Sequence, residues 1–297
     1  MSEAFERKER EPKAEKLRFE GVEGKDVYNV TAPFESDGKT YIVGRVESPE
    51  TIADAHSVFF TRKDGVWEAD KTLPNFKLED PFVTKMDGEL IFGGVETYPL
   101  KDAPSPEWKG YRTIFYKGKD IKNLEQFCKG PDMMKDIRLV ELGDSGVGVF
   151  TRPRGEIGGK GTIGFIRLDS LDELTPEKIL QARLLEGQFG KNEWGGVNNA
   201  RLLKDGTIGV IGHIGNEDAD GKHYRVISFT FNPDTFRASA MKVIATRKDF
   251  PEGKVKDSKL KDIVFPSGYA DETLYVGLSD AEAARLHLPD PFEKGSF

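Results

Sequence analysis

The chain has 297 residues, 37% of them hydrophobic and 32% charged, enough for a full buried core in one large domain or two smaller ones. Its 44 basic and 51 acidic side chains leave a net charge of −7, which lacks the basic footprint of a general nucleic-acid binder. Cys128 is the single cysteine, which excludes an intrachain disulfide, and no apolar run reaches the ~20 residues that a membrane helix needs.

Residues 1–18 are rich in Glu, Lys and Arg and carry no apolar signal core. This predicts a charged arm outside the main domain and, with the lone cysteine, a cytoplasmic protein. From residue 19 to 297 helical periodicity is weak and short apolar strands dominate. A unit then returns about five times: a strand opening on Asp or Asn, a tight turn, and a second apolar strand. Tyr28-Asn29-Val30 is followed by Asp37-Gly38 and the strand 41–45. Leu78-Glu79-Asp80-Pro81-Phe82-Val83 is followed by Asp87-Gly88 and the strand 90–94. Lys135-Asp136 opens the third copy, which turns at Gly143-Asp144 and runs on to Arg152-Pro153-Arg154. Residues 171–185 allow one short helix or turn. Gly196-Val197-Asn198-Asn199 opens the fourth copy, which turns at Asp205-Gly206 and ends on His213. Residues 263–269 and 275–278 close the set.

Asp-Gly pairs suit hairpin turns because such turns need positive φ. Copies of roughly 50–65 residues suit propeller blades, and no low-complexity linker cuts the chain. The predicted fold is therefore all-β, a single five-bladed β-propeller, with two β-sandwiches as the alternative.

A radial array brings the starts of all inner strands together. Those starts offer Asn29, Asp80, Asp136, Asn198, Asn199 and Ser267, and the second strands end in Arg45, Arg152, Arg154 and His213. Carboxylates and amides suit a polyol, and guanidinium groups suit an anion beside it, because the N–H fork meets two oxygens at once. Trp108, Trp194, Tyr111 and Tyr269 could supply faces for a sugar ring. Each residue also has a plainer role: Asp80 as a strand-start carboxylate, Asn198-Asn199 as a turn, His213 as a core histidine, Asp280 as a solvated acid. Their recurrence in register, where a core pattern would put Val or Leu, favours the shared site. Four scattered histidines show no metal-ligand spacing, and no Walker loop or Gly-x-Ser-x-Gly is present. No metal and no organic cofactor is expected.

These motifs, in order, resemble a known family. Tyr28 to Pro33, Glu79-Asp80-Pro81, Lys135-Asp136, Thr151-Arg152-Pro153-Arg154-Gly155, Gly212-His213, Val264 to Gly268 and Tyr275 to Ala283 follow the order found in glycoside hydrolase family 130, the β-mannoside phosphorylases. They resemble more closely glycosyltransferase family 108, the β-1,2-mannosyltransferases and phosphorylases formerly filed as domain of unknown function 1861. Phe82 stands where family 130 usually has Arg, and Asn198-Asn199 replaces a Pro-rich segment common there. The resemblance implies inverting transfer at a mannosyl carbon with Asp80 as general acid. It implies that Asn29, Arg45, Asp136 and Asp280 hold the mannosyl unit; Asn198, Asn199 and Tyr269 are expected as further sugar contacts from their own side chains. Lys135, Arg152, Arg154 and His213 are expected on the phosphate side. The expected partners are a mannose-containing oligosaccharide and inorganic phosphate as co-substrate. An inverting hydrolase needs a second carboxylate to activate water, whereas phosphate is already an anionic nucleophile and needs cations in that place. A GDP-mannose-dependent transferase is the alternative; a hydrolase, for which Glu156 or Glu193 could serve as base, and a non-catalytic sugar-binding propeller also stay open.

Overall fold

A computed structural model of the chain describes residues 14–51, 54–101, 105, 109–143 and 146–293. It is a five-bladed β-propeller, each blade one small, mainly antiparallel sheet. The inner strands are Asp26–Tyr28, Glu79–Met86, Arg138–Glu141, Trp194–Leu202 and Val264–Ala270. Each pairs with the next strand of its own blade: Lys39–Glu47, Glu89–Pro99, Val147–Thr151, Ile208–Asp218 and Thr273–Leu278. The Asp-Gly pairs at 37–38, 64–65 and 87–88 form two-residue turns with both residues at positive φ, as their composition demands. Asp205-Gly206 instead sits in a wider turn, where Leu203 N donates to Thr207 O at 2.8 Å and Asp205 Oδ1 accepts from Thr207 N at 3.0 Å. The predicted helix or turn over 171–185 is a 3-10 turn at Leu171–Glu173 and one α-turn at Pro176–Ile179. Thr175 caps the α-turn by accepting from Lys178 N.

No single core exists. Five clusters of buried side chains each fill one interface between neighbouring blades. Phe59 and Phe92 meet between the first and second blades, and Phe82 and Ile137 between the second and third. Phe150 and Phe231 join the third and fourth, and Ile211 and Val276 the fourth and fifth. Val27 and Tyr275 join the fifth to the first. One blade cannot bury both faces alone, so closure of the ring completes the burial.

Closure comes from the beginning of the described chain. Ala14–Lys16 adds to the fifth blade as its outermost strand, antiparallel, with Ala14 opposite Leu286 and Lys16 opposite Ala284. Residues 14–16, expected in a charged arm outside the repeat, are thus part of the last blade; the rest of that arm up to residue 13 lies outside the described residues. Lys16 also pairs with Glu282 at 3.0 Å. Phe19–Glu20 then runs parallel to Val66–Ala69 at the rim of the first blade, with Phe19 edge-on to Phe60. Among the described residues no helix is long and apolar enough to cross a membrane.

Candidate functional site

One polar residue from each blade, within or directly beside its inner strand, joins a ring: Asn29, Asp80, Asp136, Asn198 and Ser267, none more than 8% exposed. Backbone conformation puts them there. Asn29, Asp80 and Asp136 have φ of 48°, 48° and 59°, the left-handed region that Asn and Asp tolerate best among side-chain-bearing residues. Asp80, Asn198 and Ser267 sit where the ladder of their inner strand shifts register, between Glu79 and Phe82, Val197 and Asn199, and Pro266 and Gly268. Such a bulge re-aims a side chain that regular pleating would place elsewhere.

Asp80 is the most heavily contacted member. Its Oδ1 accepts from Asn29 Nδ2 at 2.7 Å and from Arg45 Nη1 at 3.2 Å, and its Oδ2 lies 3.7 Å from Lys135 Nζ. Burial pushes its pKa up, but Arg45 and Lys135 outweigh burial and hold it below the ordinary aspartate value. Asp80 is thus deeply buried and ionised.

Arg45 is gripped from its other side. Glu47, fully buried, takes Arg45 Nε at 3.0 Å and Nη2 at 2.8 Å on one oxygen, and accepts from the Tyr28 hydroxyl at 2.5 Å on the other. Lys256, from the loop before the fifth inner strand, also pairs with Glu47. Arg45 Nη1 reaches Glu79 Oε2 at 3.2 Å as well. Glu79 and Asp280 differ from Asp80: burial raises the pKa of both, against the pull of Arg45. Asp280 stands at φ 51° in the turn after Thr273–Leu278.

On the third-blade side, Asp136 Oδ2 accepts from Arg152 Nη1 at 2.8 Å, and Arg152 Nε donates to Gly195 O at 2.9 Å. Arg152 is 4% exposed and threads between Gly161 and Gly196, where an added Cβ would strike its side chain. Burial opposes ionisation of Asp136, but Arg152 and Lys135 win and lower its pKa well below the usual range. Lys135 keeps its charge against burial through Asp80 and Asp136. Arg154, two residues beyond Arg152, is exposed and donates to the Tyr111 hydroxyl at 3.1 Å. Tyr111 O accepts from Met133 N at 2.7 Å, so the loop carrying Lys135 runs beside the strand carrying Tyr111.

His213 lies 1% exposed, stacked on Tyr224, with Nδ1 at 2.7 Å from Asn198 Oδ1. Burial, reinforced by Arg152, pushes its pKa down to about 3, so it is neutral at pH 7 and adds no positive charge for phosphate. Its Nε2 is buried without a hydrogen-bond partner among the described residues, as are Asp136 Oδ1 and Asn198 Nδ2.

The ring thus gathers Asn29, Arg45, Asp80, Lys135, Asp136, Arg152, Asn198 and His213, with Asp280 reaching Arg45 and Asp80 through their charges. Two expected sugar contacts fall apart from it. Tyr269 packs in the core between the fourth and fifth blades and donates its hydroxyl to Leu288 O at 3.0 Å. Asn199 lies one position past the ring and lines an axial cavity instead. Trp194 is buried with its indole N–H on the Tyr224 hydroxyl, and Trp108 lies outside the described residues. Four groups at the site went unassigned in the sequence: Tyr28, Glu47, Glu79 and Lys256. Glu47 had a signal, since it sits two residues after Arg45 and so shares its strand face. Lys256, on an irregular loop, had none.

A mannose phosphorylase from Leishmania mexicana, solved in complex with phosphate ion, is 38% identical, covers 93% of this chain and 88% of its own, and superposes with a TM-score of 0.85. A GDP-Man-dependent mannosyltransferase from the same organism is 36% identical over 98% of this chain and 93% of its own, with a TM-score of 0.86. A structure from the GH130 family of mannoside phosphorylases shares the fold at 13% identity, 89% and 85% coverage and a TM-score of 0.60. No curated protein matches the sequence. The family profile described as "Protein of unknown function (DUF1861)" matches residues 3–294, and the chain belongs to that family.

Proposed function

We propose that the protein is an inverting β-1,2-mannoside phosphorylase, reversibly converting a β-1,2-mannooligosaccharide and phosphate to α-mannose 1-phosphate and a shortened chain. Its class is that of the glycoside phosphorylases and glycosyltransferases. The observation that carries the finer reading is the division of charge around Asp80. Carboxylates with raised pKa, Glu79 of the second blade and Asp280 of the fifth, stand around Arg45 of the first blade, where they can accept from sugar hydroxyls. The cations Lys135, Arg152 and Arg154 stand on the third-blade side. Of the conceivable hydrolytic bases, Glu193 is exposed and accepts from Gly190 N, and Glu156 is exposed in the turn after Arg154.

In phosphorolysis a phosphate oxygen attacks the anomeric carbon, the glycosidic C–O bond breaks, and the leaving oxygen takes a proton from Asp80 by way of a sugar hydroxyl. Phosphate bound beside Lys135 would draw that cation from Asp80 and bring negative charge near it, and both effects raise the Asp80 pKa toward the protonated state an acid needs. In synthesis Asp80 starts ionised, held so by Arg45 and Lys135, and takes the acceptor proton as the anomeric C–O bond to phosphate breaks and phosphate departs. Arg152, committed to Asp136 and Gly195, orients the ring; Lys135 and Arg154 are the cations open to phosphate.

Similarity to the GDP-Man-dependent enzyme favours a second reading, in which a nucleoside diphosphate replaces phosphate as leaving group. One assay separates them: β-1,2-mannobiose with and without phosphate, beside GDP-mannose with mannose. Mannose 1-phosphate formed only with phosphate supports the phosphorylase. Chain extension from GDP-mannose without phosphorolysis replaces it with the transferase, and free mannose without phosphate with a hydrolase.

A further inference from the structure

Beyond the polar ring the inner strands enclose an axial cavity of about 180 Å³. Its lining mixes the neutral polar residues Thr31, Thr84, Asn198, Asn199 and Ser267 with apolar walls such as Phe34, Phe82 and Leu139. No Asp or Glu lines it, and the one ionisable cation that does is Arg138.

Arg138 is 6% exposed. Its Nε donates to Asn198 O at 3.1 Å and its Nη1 to Ile137 O at 3.0 Å, while the guanidinium lies 4.5 Å from the Phe82 ring centre. Nη2 has no hydrogen-bond partner among the described residues, and no carboxylate oxygen there comes within ion-pairing distance of this side chain. Asp136 and Asp80 act on it only through space, and burial still lowers its pKa. An arginine nevertheless stays charged in proteins. A charge withdrawn from water without a partner is costly, so buried charges are found paired. Here a positive charge, a free N–H donor and an adjoining space occur together.

We propose that the axial cavity is a binding site for a small monovalent inorganic anion of halide size, held by Arg138. One guanidinium matches one negative charge. A doubly charged phosphate would leave one negative charge with no second cation in the lining. Arg138 belongs to the third blade, its carbonyl acceptor Asn198 O to the fourth, and the ring beneath it, Phe82, to the second. The anion therefore ties three inner strands and stabilises the closed ring by mass action.

Bromide is the probe. Crystals soaked in bromide should show an anomalous peak in the axial cavity beside Arg138 Nη2. Tm should climb with the logarithm of bromide concentration, but stay flat in gluconate at the same ionic strength. Arg138→Gln should abolish that climb. Should the variant fail to fold, the anomalous map and the two-salt comparison on the native protein still decide. No peak in the cavity, or equal Tm in both salts, overturns the site. Phosphate displacing bromide from the cavity overturns the monovalent assignment.

Discussion

Glu47 grips Arg45 side-on, one carboxylate oxygen taking both Nε at 3.0 Å and Nη2 at 2.8 Å. This leaves Nη1 as the single nitrogen directed at Asp80 and Glu79. Glu47 is thus a positioning residue for Arg45. Glu47→Ala leaves a buried guanidinium half-paired, and breaking such a pair costs about 3–5 kcal/mol. Glu47→Gln keeps shape and some hydrogen bonding, so it should fold with a lower Tm and a reduced kcat/KM. A Gln variant with native kinetics would show that Arg45 does not depend on this grip.

Asp80→Asn should retain the fold, since the amide oxygen still accepts from Asn29 and Arg45, while turnover falls at least ~100-fold, the lower end of general-acid contributions. The same product assay on the variant checks it. Near-native turnover would move the proton transfer elsewhere, with Glu79 and Asp280 the next carboxyls to test.

Lys135 and Arg154 should separate by their pH profiles. Lys135 holds the Asp80 pKa down, so Lys135→Ala raises it and moves the Asp80-dependent limb of kcat/KM to higher pH, besides raising the KM for phosphate. Arg154 is exposed and donates to the Tyr111 hydroxyl rather than to Asp80. Arg154→Ala should raise the phosphate KM without moving that limb. Equal profiles for both variants would contradict the division of roles.

Stability should fall in acid in two stages. His213 has a folded-state pKa depressed to about 3 from an ordinary 6.5. Between those values the unfolded chain binds a proton that the folded one refuses, so stability declines as pH drops through that window. Asp80 and Asp136, both lowered, lose their contribution further down, as pH falls below the ordinary aspartate value. Tm measured from pH 7 to pH 4 should show the first stage, and His213→Gln should flatten it. An unchanged slope in that variant would assign the loss to other groups.

Ring closure rests on a short strand. Deleting residues 1–16 should lower Tm more than deleting residues 1–13, because only the longer deletion removes Ala14–Lys16 and its ladder to residues 284–286. Each lost ladder hydrogen bond is worth about 0.5–1.5 kcal/mol. Equal Tm for the two truncations would mean that closure does not depend on this strand.

The fold was legible in the sequence because its signals are local and repeated. Asp37-Gly38, Asp64-Gly65 and Asp87-Gly88 dictate hairpins through backbone sterics alone, and five returns of one unit leave a closed ring as the way to bury every blade face. The polar ring was legible for a similar reason. A buried polar residue within or beside each inner strand, such as Asn29, Asp80, Asp136 or Asn198, departs from apolar patterning at a comparable place, and Asn and Asp tolerate the positive φ found at the first three. Tertiary structure alone decided what these groups meet. Arg152 and Arg154 stand two residues apart with the same side chain, yet one threads between Gly161 and Gly196 onto Asp136 and the other faces solvent. Tyr269 looked like a sugar platform until packing gave its hydroxyl to Leu288. Ala14–Lys16 has the composition of a solvated arm and becomes a strand only because Glu282–His287 offers an open edge on the last blade. The charge of Asp80 was out of reach of sequence, because it is the sum of burial, Arg45 and Lys135, and that balance is set by distances between residues up to 55 positions apart.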